Sequence, residues 1–164
     1  MAEIVRQAEV LKNVIDMLKK EFGCQVYAEE VKESFKRPCF FIMATSVMSP
    51  KTVNWMNKEL TITLEYYAKQ GDKNEITYMD VVDRVQMLLP VGIQTGERFL
   101  KISSIEDDRI GEADDILQIT IAITYTERTN NAQGAGEIID EVDMNVIDSK
   151  ENHFPDVIKK QEDT

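Results

Sequence analysis

Little in this sequence is built for reactivity or export. Its 164 residues include two cysteines, Cys24 and Cys39, one histidine, His153, and one tryptophan, Trp55. A disulfide framework in a small secreted domain usually needs more cysteine. Both cysteines lie beside apolar residues in predicted strands, which favours buried free thiols and suits a chain folded in a reducing cytoplasm. A lone histidine near the C-terminus builds neither a catalytic dyad nor a metal site and reads as solvated. No CxxC, HExxH, GxSxG or P-loop spacing occurs. "GIQTG" and "GAG" lack the strand-then-helix context of a phosphate cradle. The adjacent carboxylates Glu29 and Glu30, Asp107 and Asp108, and Asp114 and Asp115 read as solvated turn pairs. These absences carry no enzymatic signature, no cofactor site and no metal site.

Long hydrophobic runs are missing too. Nothing approaches the roughly 18 consecutive apolar residues of a membrane span, and "MAEIVRQAEVLKN" keeps charges inside its apolar pattern, unlike a signal peptide. Positive charge is scarce: 19 Lys and Arg stand against 30 Asp and Glu, a net −11. That balance excludes the basic groove of a nucleic-acid binder and attraction to an anionic membrane. It leaves room for a surface past which DNA slides without sticking.

Periodicity supplies the elements. Ile4, Ala8, Leu11, Ile15, Leu18 and Phe22 recur at helical steps, predicting a helix over 2–22 that Gly23 stops. Three strands follow. "CQVYAEEV" (24–31) alternates with noise, "CFFIMATSV" (39–47) is a short apolar run suited to burial on both faces, and "ELTITLEYYA" (59–68) alternates cleanly. Between the last two, "MSPKTVNWMNK" (48–58) is long for a hairpin turn and reads as a loop that wraps over the body or reaches away. Thr77, with Asp80 three residues on, is the predicted cap of a second helix with Val81 or Val82, Val85, Leu88 and Leu89 inside and Pro90 at its end. "RFLKISSIEDDRIG" (98–111) reads as a strand followed by an acidic turn region. The strongest strand is 115–127, with Leu117, Ile119, Ile121, Ile123 and Tyr125 on one face and Gln118, Thr120, Ala122, Thr124 and Thr126 on the other.

The expected fold is α+β: a mostly antiparallel or mixed β-sheet packed on one face by two α-helices, order α-β-β-β-α-β-β, with a C-terminal extension. Domain one spans 1–129. Residues 130–164 are an acidic C-terminal linker and extension, opening on the linker-like "TNNAQGAGE" (129–137), and 137–164 hold nine acids against three lysines. Within it, "EVDMNVID" places Val142, Met144 and Val146 in strand-like alternation, although Ile138, Val142 and Val146 also fit a helix.

Two stretches suggest interaction. Trp55, flanked by Lys51, Asn54 and Met56, either folds onto its own core or marks an interface, where tryptophan is enriched. The strand face carrying Thr120 and Thr124 is small and uncharged, and looks either at water or at another copy of the protein, with Asp114, Asp115 and Glu127 flanking it at its rims.

The layout, with "NWMNKELTITLEYYAK" leading into a helix and "DILQITIAITYTER" closing the domain, resembles the bacteriophage tail terminator (tail completion) family over roughly residues 1–129. It looks most like the versions of contractile-tailed phages, defective prophages and R-type bacteriocins. The resemblance implies a structural protein without cofactor or catalytic residue. It implies a ring, usually a hexamer, that caps the head-proximal end of the tail, stops tube growth and meets tube protein, sheath protein and, where a head is present, the head connector. No specific nucleic-acid binding and no membrane are implied. A different class competes: a small acidic α/β regulatory or ligand-binding module, which needs a concave apolar pocket. A third, a catalytic domain of unrecognised type, needs converging carboxylates.

Overall fold

A computed structural model describes residues 4–28 and 34–129. The element order is α1 (Gln7–Phe22), β1 (Gln25–Tyr27), β2 (Cys39–Thr52), β3 (Trp55–Tyr67), α2 (Glu75–Leu88), β4 (Gly92–Thr95), β5 (Arg98–Ile110) and β6 (Ile116–Arg128). The strands form one sheet in the order β1-β2-β3-β6-β5-β4. It is mixed: β1 runs parallel to β2, and every other pairing is antiparallel. The expected α+β class holds, with one strand more than the sequence reading supplied.

That extra strand, β4, is four residues long. It pairs with the start of β5 through a two-residue turn whose first member, Gly96, has φ 54°, the positive value such hairpins require. Gly92 is there because nothing larger fits. A Cβ on it would sit 2.2 Å from the Leu100 carbonyl oxygen and 2.7 Å from the Phe99 ring.

Both helices bury into one core on one face of the sheet. From the sheet, Leu60, Ile62 and Leu64 of β3 and Leu117, Ile119, Ile121 and Ile123 of β6 point into it. The alternation read from both strands therefore holds. α1 contributes Val10, Val14 and Leu18, spaced by four, with Leu11, Ile15 and Phe22 packed partly against them. The predicted stripe is thus off-centre: Ala8 is exposed, and Ile4 lies before the helix and is 48% exposed. Gly23, at φ 61°, does end the helix, its N–H donating to the Lys19 carbonyl at 3.0 Å. α2 buries Tyr78, Val81, Val82 and Val85. Its cap is Asn74, not Thr77: the Asn74 side-chain oxygen accepts from the Thr77 N–H at 2.9 Å.

Two further expectations fail. The segment 98–111 is strand almost throughout, its acids included, because β6 pairs with β5 as far as Ile110. And β2 is not covered on both faces. Phe40 and Ile42 are buried, but every residue from Met43 to the end of the strand is exposed.

Candidate interaction surface

The segment expected to be a loop is the tip of a long hairpin. β2 and β3 pair from Cys39 with Tyr67 out to Thr52 with Trp55, leaving only Val53 and Asn54 as the turn, with an irregularity between Pro50 and Thr52. β6 follows β3 nearly to the tip, pairing Trp55 with Arg128. Beyond it, the Thr129 N–H donates to the Asn54 carbonyl at 2.9 Å, and the Thr129 hydroxyl to the Val53 carbonyl at 2.9 Å. The result is a three-stranded arm rather than a bare hairpin, which would be marginal alone.

The arm has an unusual surface. Residues 43–57 hold a single charged side chain, Lys51, in a chain that is 30% charged. Met43, Val47, Met48, Val53 and Trp55 are all among its exposed large apolar residues, Met48 63% and Trp55 46% exposed. Depletion of charge with enrichment of Met and Trp is the compositional mark of an interface core. Pairing places these groups on both faces of the arm. Trp55 alternates with Met56, Lys58 and the core-facing Leu60, while Val47 lies opposite Glu59 and Met48 opposite Lys58. Among the described residues, β2 also carries no strand on its outer edge past Phe41, because β1 pairs only with Cys39, Phe40 and Phe41. An open strand edge is a template for another chain.

The sheet face that no described element covers runs back from Trp55. Thr61 lies opposite Ala122, Thr63 opposite Thr120, and Glu59 opposite Thr124, so the predicted Thr120 and Thr124 share this face with Trp55. Ser103 donates its hydroxyl hydrogen to Thr124 at 3.1 Å. Glu59, Glu65, Glu106 and Asp108 flank the threonines by the same alternation. At the far end, Phe35, Phe41 and Tyr67 stack edge to face, with the Arg37 guanidinium over Phe35 and Tyr67.

The base of the arm is locked by a residue placed wrongly from sequence. Glu127 is not at a rim; it is 4% exposed, because it continues the core-facing register of Ile121, Ile123 and Tyr125. Its Oε1 accepts from the Val5 N–H at 2.5 Å and lies 3.5 Å from an Arg98 nitrogen. Its Oε2 meets the Lys58 ammonium. One carboxylate thus joins the N-terminal segment, the arm and the β4–β5 hairpin. Asp115 is near the surface, as expected, where the Lys73 ammonium hydrogen-bonds to its carboxylate and holds its pKa below the ordinary range. Lys51, Asn54 and Trp55 come together at the arm tip. Met56 is half-buried on the opposite face. Val142, Met144 and Val146 lie outside the described residues, as does His153.

Both cysteines are free. Burial pushes the Cys39 thiol from 9.0 up to about 11 and raises that of Cys24, so neither is a nucleophile at neutral pH. Among the described residues, no group of three His, Cys, Asp or Glu could hold a metal, and no helix is long and apolar enough to cross a membrane. A polar recess lined by Val5, Arg6, Thr95 and Arg98 has about 10 Å³, room for a single water.

A family model described as phage tail terminator protein matches residues 9–135, more than three quarters of the sequence. The chain belongs to the phage tail terminator family. It is therefore a structural component of a phage tail or phage-derived particle, from a family that is not typically enzymatic. A chain from the virion of a native gene transfer agent particle shares the fold: TM-score 0.51 at 13% identity, covering 77% of this chain and 100% of its own. A second solved structure, at 14% identity over 75% of this chain and 92% of its own, has a TM-score of 0.43, too low to carry weight. No curated protein matches the sequence.

Proposed function

We propose that this terminator assembles as a ring, a hexamer as the resemblance implies, that caps the head-proximal end of a contractile tail. It ends tube growth there and contacts the tube protein, the sheath protein and, in a particle with a head, the connector. Residues 1–129 are the ring-forming domain and 130–164 an extension that reaches a neighbouring or sheath subunit through Val142, Met144 and Val146. The observation that carries this reading is the arm. Fifteen residues with one charge, exposed Met and Trp side chains and, among the described residues, an open strand edge have no use in a solvated monomer.

A closed ring needs a heterologous contact, one patch on each subunit meeting a different patch on the next. Lys51, Asn54, Trp55 and Met56 supply the first. The face carrying Thr120 and Thr124 turns towards the ring's interior, where Glu59, Glu65, Glu106 and Asp108 repel the phosphates of passing DNA. Assembly takes place in the bacterial host cytoplasm, before or without a head. Sedimentation of the purified protein, with negative-stain imaging of it alone and mixed with tail tubes, tests the reading. Rings, and tubes capped at one end, are expected; a chain that stays monomeric at high concentration and leaves tube ends bare would overturn it.

A further inference from the structure

We infer that the arm of one copy docks on the outward stripe of α2 in the next, which deepens the ring reading above and rests on it. Among the described residues, the exposed large apolar side chains fall into two groups, apart from Ile4 and Phe99. One is the arm. The other is Ile76, Met79 and Met87 on α2, with Val91 just past the helix end; Phe99 points to the opposite sheet face, since its neighbour Leu100 is the core-facing one. On a helix of 3.6 residues per turn, Ile76, Asp80, Asp83 and Met87 fall within about 60° of one another. The stripe is therefore apolar and acidic. The arm tip is its complement, apolar with Lys51 and Arg128 as its cations, while Lys58 is already taken by Glu127. Among the described residues neither Lys51 nor Asp83 has an ion-pair partner, and Asp80 has only a 3.9 Å approach from Arg84.

The two surfaces cannot meet within one chain. The Ile102 N–H donates to the carbonyl of Val91, just past α2, and Ile102 is level with Ile123 and hence with Leu60. From Leu60 to Val53 is seven residues of arm, roughly 23 Å at about 3.3 Å each. The start of α2 is farther still, tied by Tyr78 and Glu75 to Asp115 and Arg109 at the opposite end of the sheet. A second copy is the occupant that fits, and contact between two different patches propagates head to tail. The acids on the uncovered sheet face, Glu106 and Asp108, lack such large apolar neighbours and make a poorer match for Met48 and Trp55.

A charge swap tests the pairing in the full chain. Lys51→Glu and Asp83→Lys are each expected to raise the dissociation constant of assembly at least about tenfold, because like charges then face each other. The double variant should return it to within about threefold of the parent. As a second measurement, Met48→Cys chains mixed with Met87→Cys chains should form a disulfide-linked pair on mild oxidation, and neither variant alone should. Melting curves at the parent's temperature show that the variants fold. If the parent assembles but the double variant is no better than the singles and the mixture does not link, the arm docks elsewhere and the ring stands. If the parent is monomeric throughout, the ring reading falls and this contact with it.

Discussion

Glu127 shows how one side chain can set the direction of an element. A buried carboxylate is tolerated only when paired and hydrogen-bonded, and this one has the Val5 N–H, Lys58 and Arg98 around it. Glu127→Ala would leave two cations and an amide facing an apolar gap. A fully buried pair broken in this way costs roughly 3–5 kcal/mol. Lys58 and Arg98 reach solvent, so a loss of roughly 2–4 kcal/mol is expected in urea unfolding at pH 7, with residues 4–6 losing amide protection first. A loss within about 0.5 kcal/mol, the surface-residue range, would mean that the cluster does not hold the segment. A second residue-scale expectation concerns pH. Burial raises the pKa values of Cys39, Cys24, Tyr66 and Tyr78. A group whose folded pKa is raised contributes stability that is present below its unfolded pKa and is lost as pH rises through the folded one. For Cys39 that window runs from 9.0 to about 11. The urea midpoint should therefore hold to pH 9 and fall above it, and Cys39→Ala should flatten the decline between pH 9 and 10 relative to its own neutral-pH value. An unchanged slope would remove Cys39 from that role.

Within single elements, burial changes abruptly. Along β3, Leu64 is fully buried while Trp55 is nearly half exposed; along β2, Ile42 is buried and Met43 is not. Leu64→Ala should cost about 2–5 kcal/mol by the usual core range, whereas Trp55→Ala should change monomer stability by less than about 1 kcal/mol and weaken assembly far more. Equal losses on both counts would put Trp55 in the core. The same contrast explains what could be read from sequence. β6 was legible because its strict alternation is local, and that alternation extended by one step would have put Glu127 inside. The arm was not legible. "MSPKTVNWMNK" has Pro50 and no period of its own, and it is strand because its two halves pair with each other and β6, some 70 residues on, pairs along the second half. The single charge across residues 43–57, Lys51, is the readable signal. α1 was misplaced by its breadth: Val10, Leu11, Val14, Ile15 and Leu18 form a wide apolar band whose centre the sequence leaves open. Residues 4–6 are drawn out of the helix by Glu127. Asn74 is hidden as the cap because Thr77 and Asp80 offer a similar pattern one turn later.

At the scale of the whole molecule, charge and assembly pull against each other. The chain carries −11, and the nine acids and three lysines of residues 137–164 account for −6 of it. Copies brought into the proposed ring would repel through these charges, the more so at low salt, where screening is weak. If the extension did nothing but add charge, a chain ending after residue 135, where the family match stops, would assemble more tightly than the full one. The proposed docking of Val142, Met144 and Val146 on a neighbour predicts the reverse. Folding should be unaffected by the truncation, since α1, α2 and the sheet build a buried core among the described residues. The melting temperature should stay within about 2 °C, the shift expected for well under 1 kcal/mol in a domain of this size. Assembly, measured by sedimentation in 50 and 300 mM salt, should weaken at both concentrations. A truncated chain that assembles better at 50 mM and equally at 300 mM would reduce the extension to a repulsive tail. Val142, Met144 and Val146 would then lose their place in the interface, while the arm and its partner helix would keep theirs.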